Sequence, residues 1–289
     1  MKRFISILLC CGLIFTFCAC GDTTATTSDS SSDAATSAAE STVDTDSTAV
    51  SESESVAANS ESVSSVPAKK NPVKIMPMGD SLTQGGDHND CGAYRGPLSE
   101  MLKEDGVAYE FVGPYSGGKI STGQTKHAGA GGIDLFGMEK RLNEYAGFDP
   151  DIILLMVGRN DNTRGITGDT FATYLYDRVI SKLYEMYPNV TVYMASIPPV
   201  RKGEEERLAG DDMAQSVTLD SIKKLVAEKK GDGKKMEFVD MSAEATGLVW
   251  QDFDSDFVHP LMSGYTKIAT QWHNAIKDKV AELEKSLNP

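Results

Sequence analysis

Residues 67–289 predict an α/β domain built on a central parallel five-stranded sheet, and two observations carry that expectation. Short β-branched apolar runs alternate with longer stretches whose apolar residues recur every three or four positions, and glycine or proline punctuates most of the joins. The predicted strands are Val73–Met78, Tyr109–Val112, Ile152–Val157, Val190–Ile197 and Met236–Val239. Several are apolar throughout, as strands covered by helices on both faces tend to be. Helices are expected over Ala93–Glu104, Ile133–Tyr145, Phe171–Met186 and Ala214–Glu228, with Gly264–Leu287 as a closing helix. In an open sheet of this kind ligands bind outside the carboxyl ends of the strands. Ser81, after the first strand, and Gly158–Asp161, after the third, therefore fall on one rim.

Residues 1–66 have a different composition. Lys2 and Arg3 precede an apolar run from Phe4 to Phe17 and then Cys18-Ala19-Cys20-Gly21, the order of an export signal, over residues 1–20. The run is too short to span a bilayer convincingly. Its end resembles the lipobox of bacterial lipoproteins, which implies cleavage before Cys20 and diacylation of that thiol. Phe17 and Cys18 stand where that motif usually has Leu and a small residue, and a plain secretory signal is the alternative. Residues 21–66 form a Ser/Thr/Asp/Glu-rich linker without aromatic, Leu, Ile, Lys or Arg, which cannot bury enough surface to offset the entropy of ordering.

The chain carries a net charge of −14 at pH 7; nine acids lie in the linker and two cations are Lys2 and Arg3, which leaves residues 67–289 at −7. No basic cluster exists to neutralise phosphates, so nucleic acid and anionic lipid surfaces are poor partners. Contact with a membrane is expected through the N-terminal lipid alone. Of five cysteines, four belong to the first twenty residues and Cys91 stands by itself, so no disulfide within the domain is possible. The domain must be held by its core, and its length suffices for one.

Four segments bear on chemistry. Gly79-Asp80-Ser81-Leu82 ends the first apolar run at a corner displaying a serine, although Gly, Asp and Ser are also the ordinary residues of turns. In Asp256-Phe257-Val258-His259-Pro260, a carboxylate three residues before a histidine can turn back to hold the imidazole. A serine hydroxyl is a poor nucleophile until a positioned imidazole takes its proton and a carboxylate fixes the imidazole tautomer. The same pentapeptide also suits a plain surface turn before proline. Donors for a developing oxyanion can come from Asn160 in Gly158-Arg159-Asn160-Asp161, and from backbone N–H groups of the glycine-rich His127-Ala128-Gly129-Ala130-Gly131-Gly132.

In chain order these blocks resemble those of the SGNH (GDSL) hydrolase superfamily, over roughly Val73 to Trp272. The resemblance implies a flavodoxin-like three-layer α/β/α sandwich with an esterase or deacetylase site that needs no cofactor and no metal. It implies Ser81 as nucleophile and backbone donor, Gly132 as second backbone donor, Asn160 as side-chain donor, His259 as base and Asp256 as its orienter. Gly92-Ala93-Tyr94-Arg95 with Leu98 and Leu102, then Phe111-Val112-Gly113 and His127-x-Gly129, are similar to the acetylxylan esterases of carbohydrate esterase family 3. That family usually has His-Glu-Gly-His-Ser-Gly-Trp where this chain has His127 to Ile133, a Thr where Arg159 stands, and an Asn where Leu261 stands.

Other residues carry weaker readings. Asp87-His88-Asn89-Asp90 has cation-binding residue types, but a solvated loop of that composition is commoner, and no metal is expected. Trp250 is either a platform for a sugar ring or core, and Arg159 either pairs with Asp161 or reaches an anionic substrate group. His127 lies near the glycine-rich loop without an evident role, and His273 packs in the closing helix. The expected protein is an exported serine esterase on the outer face of the bacterial cell membrane, removing acetyl from polysaccharide such as acetylated xylan. A lipid esterase or thioesterase on the same scaffold, or a non-catalytic carbohydrate-binding lipoprotein, are the alternatives.

Overall fold

The computed structural model describes residues 70–85, 92–203, 205, 208–209 and 213–289. Cys20, the signal and linker segments, Asp87–Asp90 and Cys91 lie outside the described residues. All five predicted strands form, as β1 (Val73–Gly79), β2 (Tyr109–Phe111), β5 (Ile152–Met156), β6 (Thr191–Ala195) and β9 (Met236–Val239). They pair in parallel in the order β2-β1-β5-β6-β9, with Ile75 opposite Ile152 and Gly79 opposite Met156 at the centre. This order reverses between β1 and β5, and a ligand site is expected at the carboxyl ends of those two strands.

The sheet has seven strands rather than five. β4 (Lys126–Gly129) runs parallel to β1 and pairs with Met78 and Gly79, while β3 (Tyr115–Ser116) lies antiparallel outside it. The edge of β1 away from β5 is thus shared, with β2 on its first residues and β4 on its last. Neither added strand has the β-branched apolar run that marks the others, because β4 reads Lys-His-Ala-Gly. A separate two-stranded hairpin joins β7 (Val200–Arg201) to β8 (Leu208–Ala209).

Alternation along the central strands explains their continuous hydrophobicity. Val73 and Ile75 of β1, with Ile152, Leu154 and Met156 of β5, pack against α2 (Arg95–Glu104) and α9 (Met262–Leu287), which follows the short α8 (Ala243–Thr246), through Leu98, Leu102, Ile268, Trp272 and Ile276. Met76, Met78, Ile153 and Leu155 face the other layer, formed by α3 (Leu135–Lys140), α5 (Gly168–Tyr174), α6 (Ser181–Met186) and α7 (Met213–Gly231). A π-helical turn, Leu175–Ile180, links α5 to α6 in one run. Two helical layers on one sheet make the α/β/α sandwich.

The first described residues are bound to the last. Lys70 pairs with Glu284 at 2.7 Å, and Asn71 and Asn288 exchange hydrogen bonds of 2.7 and 3.0 Å between backbone and side-chain amide. Both ends sit at the amino side of β1.

Candidate functional site

The chain leaves β1 through a corner that demands glycine. A Cβ on Gly79 would lie 2.0 Å from the Met156 carbonyl oxygen, so β1 and β5 can stay paired to their last residues only without it. Asp80 then caps the single turn α1 (Ser81–Gln84), its Oδ1 accepting from the Leu82 N–H at 3.0 Å. This turn holds Ser81 half-buried at the rim. At the end of β5, Gly158 has φ +130°, and a Cβ there would come within 2.7 Å of Ile197 and 2.8 Å of Phe171. The turn begins α4 (Arg159–Thr163), which brings Asn160 to the same rim.

Ser81, His259 and Asp256 come together across the sheet. The Ser81 Oγ lies 2.8 Å from His259 Nε2, and His259 Nδ1 lies 2.5 Å from Asp256 Oδ2. The other carboxylate oxygen of Asp256 accepts from the N–H groups of Val258 and His259, each at 2.9 Å. Burial pushes the Asp256 carboxyl up, but these two N–H groups and the imidazole together hold it below the usual carboxylate range. An ionised Asp256 places the imidazole proton on Nδ1 and leaves the Nε2 lone pair facing the serine hydroxyl.

The loop that presents this pair is fixed from several sides. Phe253 bridges to Pro260, Asp254 N–H donates to the His259 carbonyl at 2.9 Å, and Leu261 N–H donates to the Asp252 carbonyl at 2.7 Å. The buried Asp252 carboxylate receives Lys267 Nζ at 2.6 Å, Ser263 Oγ at 2.7 Å and the Val249 N–H at 2.8 Å. Phe257, the residue after Asp256, adopts φ +66°, a conformation unfavourable for an aromatic residue. The hairpin holds it there: Arg201 N–H donates to the Phe257 carbonyl at 2.9 Å, and the guanidinium lies 5.2 Å from the Phe257 ring centroid and 5.1 Å from that of Trp250.

Trp250 is half-buried, and its indole lies under the Arg201 guanidinium. Arg159 and Asp161 do not pair. Arg159 gives its guanidinium to the Pro198 carbonyl, while the buried Asp161 accepts from the Leu135 N–H at 3.1 Å, because α4 turns the two side chains to different sides. His273 ties α9 to Asp105 beyond α2 at 2.7 Å. Among the described residues no group of three His, Cys, Asp or Glu side chains is placed to hold a metal ion, and no helix is long and apolar enough to cross a membrane.

The glycine-rich segment is stapled to the rim along its length. Ala130 N–H donates to the Gly79 carbonyl at 3.0 Å, Gly131 N–H to Gln84 Oε1, and Asn160 Nδ2 to the Ile133 carbonyl at 2.8 Å. Gly132 lies exposed between these bonds, with φ +69°. Gln84 carries no motif of its own, and its position one turn after Ser81 is the signal that marks it; Arg95 stands in Gly92-Ala93-Tyr94-Arg95. Its buried guanidinium donates to four carbonyls, those of Thr83 and Gln84 at 2.9 Å and of Gly117 and Thr125 at 3.2 Å, and so locks α1 to the β3–β4 side of the sheet.

Two buried carboxyls stand behind the serine. Burial pushes Asp80 up to about 6 against the opposing pull of the Leu82 N–H and the Arg159 and His259 charges. Burial also raises Asp161 to about 6, with Asp80 adding repulsion and the Leu135 N–H opposing it. A carboxyl raised in the folded state binds its proton more tightly there than in the unfolded chain. Its contribution is therefore most favourable below the unfolded pKa near 4 and is lost as pH rises through about 6. Asp80→Asn keeps the acceptor for Leu82 and removes that loss. Its stability relative to the parent should rise by roughly 2 to 3 kcal/mol between about pH 4 and pH 7 in denaturant melts, and a pH-independent difference would contradict the assignment.

Comparisons with known proteins agree with the motif resemblance. The model of the GDSL-like Lipase/Acylhydrolase family matches residues 78–267. A multidomain esterase of Ruminococcus flavefaciens is 28% identical over 231 residues, 71% of this chain but only 28% of that protein, so the chain spans little more than a quarter of that relative. A family 3 carbohydrate esterase of Clostridium thermocellum superposes with TM-score 0.63 and 26% identity over 74% of this chain and 100% of the other. A carbohydrate esterase family 3 structure from Talaromyces cellulolyticus shares the fold, with TM-score 0.59 and 20% identity over 73% of this chain and 99% of that one. Ordered motifs, sheet order and the extent of the family match converge: this chain belongs to the GDSL-like lipase/acylhydrolase family.

Proposed function

We propose that residues 67–289 are a carboxylic ester hydrolase working through an acyl-serine intermediate, with Ser81 as nucleophile, His259 as general base and Asp256 as its orienter. The observation that carries this reading is the continuous chain of hydrogen bonds from Ser81 Oγ through His259 to Asp256, at 2.8 and 2.5 Å. As Oγ attacks the acyl carbon its proton passes to Nε2, and Asp256 stabilises the imidazolium. The negative charge that gathers on the former carbonyl oxygen requires donors. Asn160 Nδ2 carries two hydrogens, of which one is committed to Ile133; the other, with the Ser81 and Gly132 N–H groups, completes the set. Collapse of the tetrahedral intermediate sends the Nε2 proton to the leaving alcohol. Water, deprotonated by the same nitrogen, then cleaves the acyl-serine and releases the acid.

For the substrate we infer an O-acetyl group on polysaccharide such as acetylated xylan. The support is the likeness to the Clostridium thermocellum protein described as a family 3 carbohydrate esterase, together with the motif resemblance. In a series of p-nitrophenyl esters from C2 to C12, run beside acetylated xylooligosaccharides, the acetyl ester should turn over fastest and the oligosaccharides should lose acetate. A preference for long chains would overturn the carbohydrate reading. Labelling by a fluorophosphonate should map to Ser81, and an unlabelled serine would overturn the catalytic one.

We propose further that the protein is exported and held on the outer face of the cell membrane by diacylated Cys20, with residues 21–66 as a spacer. Cys20→Ala should move the protein from the membrane to the soluble fraction and abolish incorporation of labelled palmitate. Unchanged membrane association would point to another tether, and a parent protein found already in the soluble fraction would point to a plain secretory signal.

A further inference from the structure

Next to the rim that carries Ser81, a cavity of about 550 Å³ opens between α1, the β3–β4 pair and Arg141 at the end of α3. Its wall is built rather than incidental. The buried Arg95 pins both the end of α1, through Thr83 and Gln84, and the β3–β4 side, through Gly117 and Thr125. The side chains that line it are mainly hydrogen-bond donors. Gln84 has its Oε1 occupied by the Gly131 N–H, so its NH₂ is what remains to offer.

His127 is buried in this wall, and its Nδ1 accepts from the Gly129 N–H at 3.1 Å. Burial and the nearby Arg95 charge depress its pKa to about 3, so the ring is neutral and its single proton sits on Nε2, which lies beside Gly117 of the same lining. Arg141 Nη1 donates to the Tyr115 hydroxyl at 3.0 Å, and that hydroxyl donates in turn to Glu144. The Arg141 charge is thus balanced by Glu144 through the Tyr115 hydroxyl. The Tyr115 ring, half-buried and tilted 53° against the His127 ring at 5.9 Å, supplies an aromatic surface.

A lipid acyl chain would bury little apolar surface against such a lining. The lining matches a sugar, whose hydroxyl and ring oxygens can accept from Arg141, Gln84 and His127 and whose C–H face can lie on Tyr115. We propose that this cavity is a subsite for a neutral sugar unit of the ester substrate, on the alcohol side of the bond that Ser81 attacks. The inference rests on Ser81 being the nucleophile. It goes beyond that reading by assigning recognition of the glycan to Arg141, Tyr115, His127 and Gln84.

The test compares Arg141→Ala, Arg141→Lys and Tyr115→Leu with the parent on two substrates, p-nitrophenyl acetate and acetylated xylooligosaccharides, with thermal melts confirming folding. Arg141 is half-exposed, so its removal opens no core. The ratio of kcat/KM for the oligosaccharide to that for p-nitrophenyl acetate should fall roughly tenfold or more in Arg141→Ala and Tyr115→Leu, chiefly through KM, with partial recovery in Arg141→Lys. Calorimetry on Ser81→Ala, which cannot turn substrate over, should show oligosaccharide binding that weakens by the same factor when Arg141→Ala is added. An unchanged ratio and unchanged binding would overturn the subsite while leaving the esterase reading intact. Tighter binding of a uronic-acid-bearing oligosaccharide by tenfold or more would overturn the neutral sugar. If Ser81→Ala still hydrolyses p-nitrophenyl acetate at the parental rate, it is the underlying reading that fails.

Discussion

Ser81→Ala lowers kcat for p-nitrophenyl acetate by roughly 10⁴- to 10⁶-fold, the loss expected when a serine nucleophile is removed and only oxyanion donors and binding remain. The same substitution should leave stability almost untouched. Ser81 is half-buried at the start of a one-turn helix, and the contact it loses is the 2.8 Å bond to His259 Nε2. One such bond contributes about 1 kcal/mol. The turn itself depends on the Asp80 cap and on the Gly79 approach to Met156, neither of which involves the hydroxyl. Initial rates under saturating ester, with a thermal melt on the same sample, decide the matter. A variant folded like the parent and within tenfold of its rate would mean that another group performs the attack.

The largest expected effect on stability comes from Arg95. Arg95→Met preserves much of the buried volume but takes the guanidinium from the carbonyl oxygens of Thr83, Gln84 and Gly117, and from that of Thr125, which keeps the Gly117 N–H at 3.0 Å. Buried acceptors that lose their donor cost about 1 to 3 kcal/mol each, and some recover through water, so a net loss of about 3 to 5 kcal/mol is expected. For a domain of this size that lowers the melting temperature by about 10 °C or more. Arg95→Lys should not rescue it, since a point-like ammonium cannot reach four acceptors spread around a planar fork. Calorimetric melts check both variants, and a loss below about 1 kcal/mol would show that water replaces the guanidinium without penalty.

Much of the site was legible in the sequence because its parts are local. Asp80 and Ser81, or Asp256 and His259, are neighbours in the chain, and short polar motifs at strand ends keep their meaning wherever the fold carries them. The five parallel strands were legible for a related reason: burial on both faces makes Ile152–Met156 apolar throughout and leaves only single polar residues in the others. What escaped depended on partners far along the chain. β4 is a strand because β1 offers Met78 and Gly79 for pairing, and nothing in Lys-His-Ala-Gly states that. The Arg201 clamp on Trp250 and Phe257 joins a hairpin to a loop more than forty residues away. Arg159 and Asp161 are close in sequence and opposite in charge, yet a short helix separates their side chains, and burial of Asp161 against Leu135 decides its partner.

The pairing of Asn71 with Asn288 has a consequence for how the domain is carried. β1 starts a few residues after that junction and ends at Gly79, immediately before Ser81; its seven residues cover about 20 Å. Lys70 and Asn71 therefore sit at the end of the sheet opposite the rim that carries Ser81. A pull applied at Lys70 falls on the Asn71–Asn288 junction and the first residues of β1 before it reaches the serine.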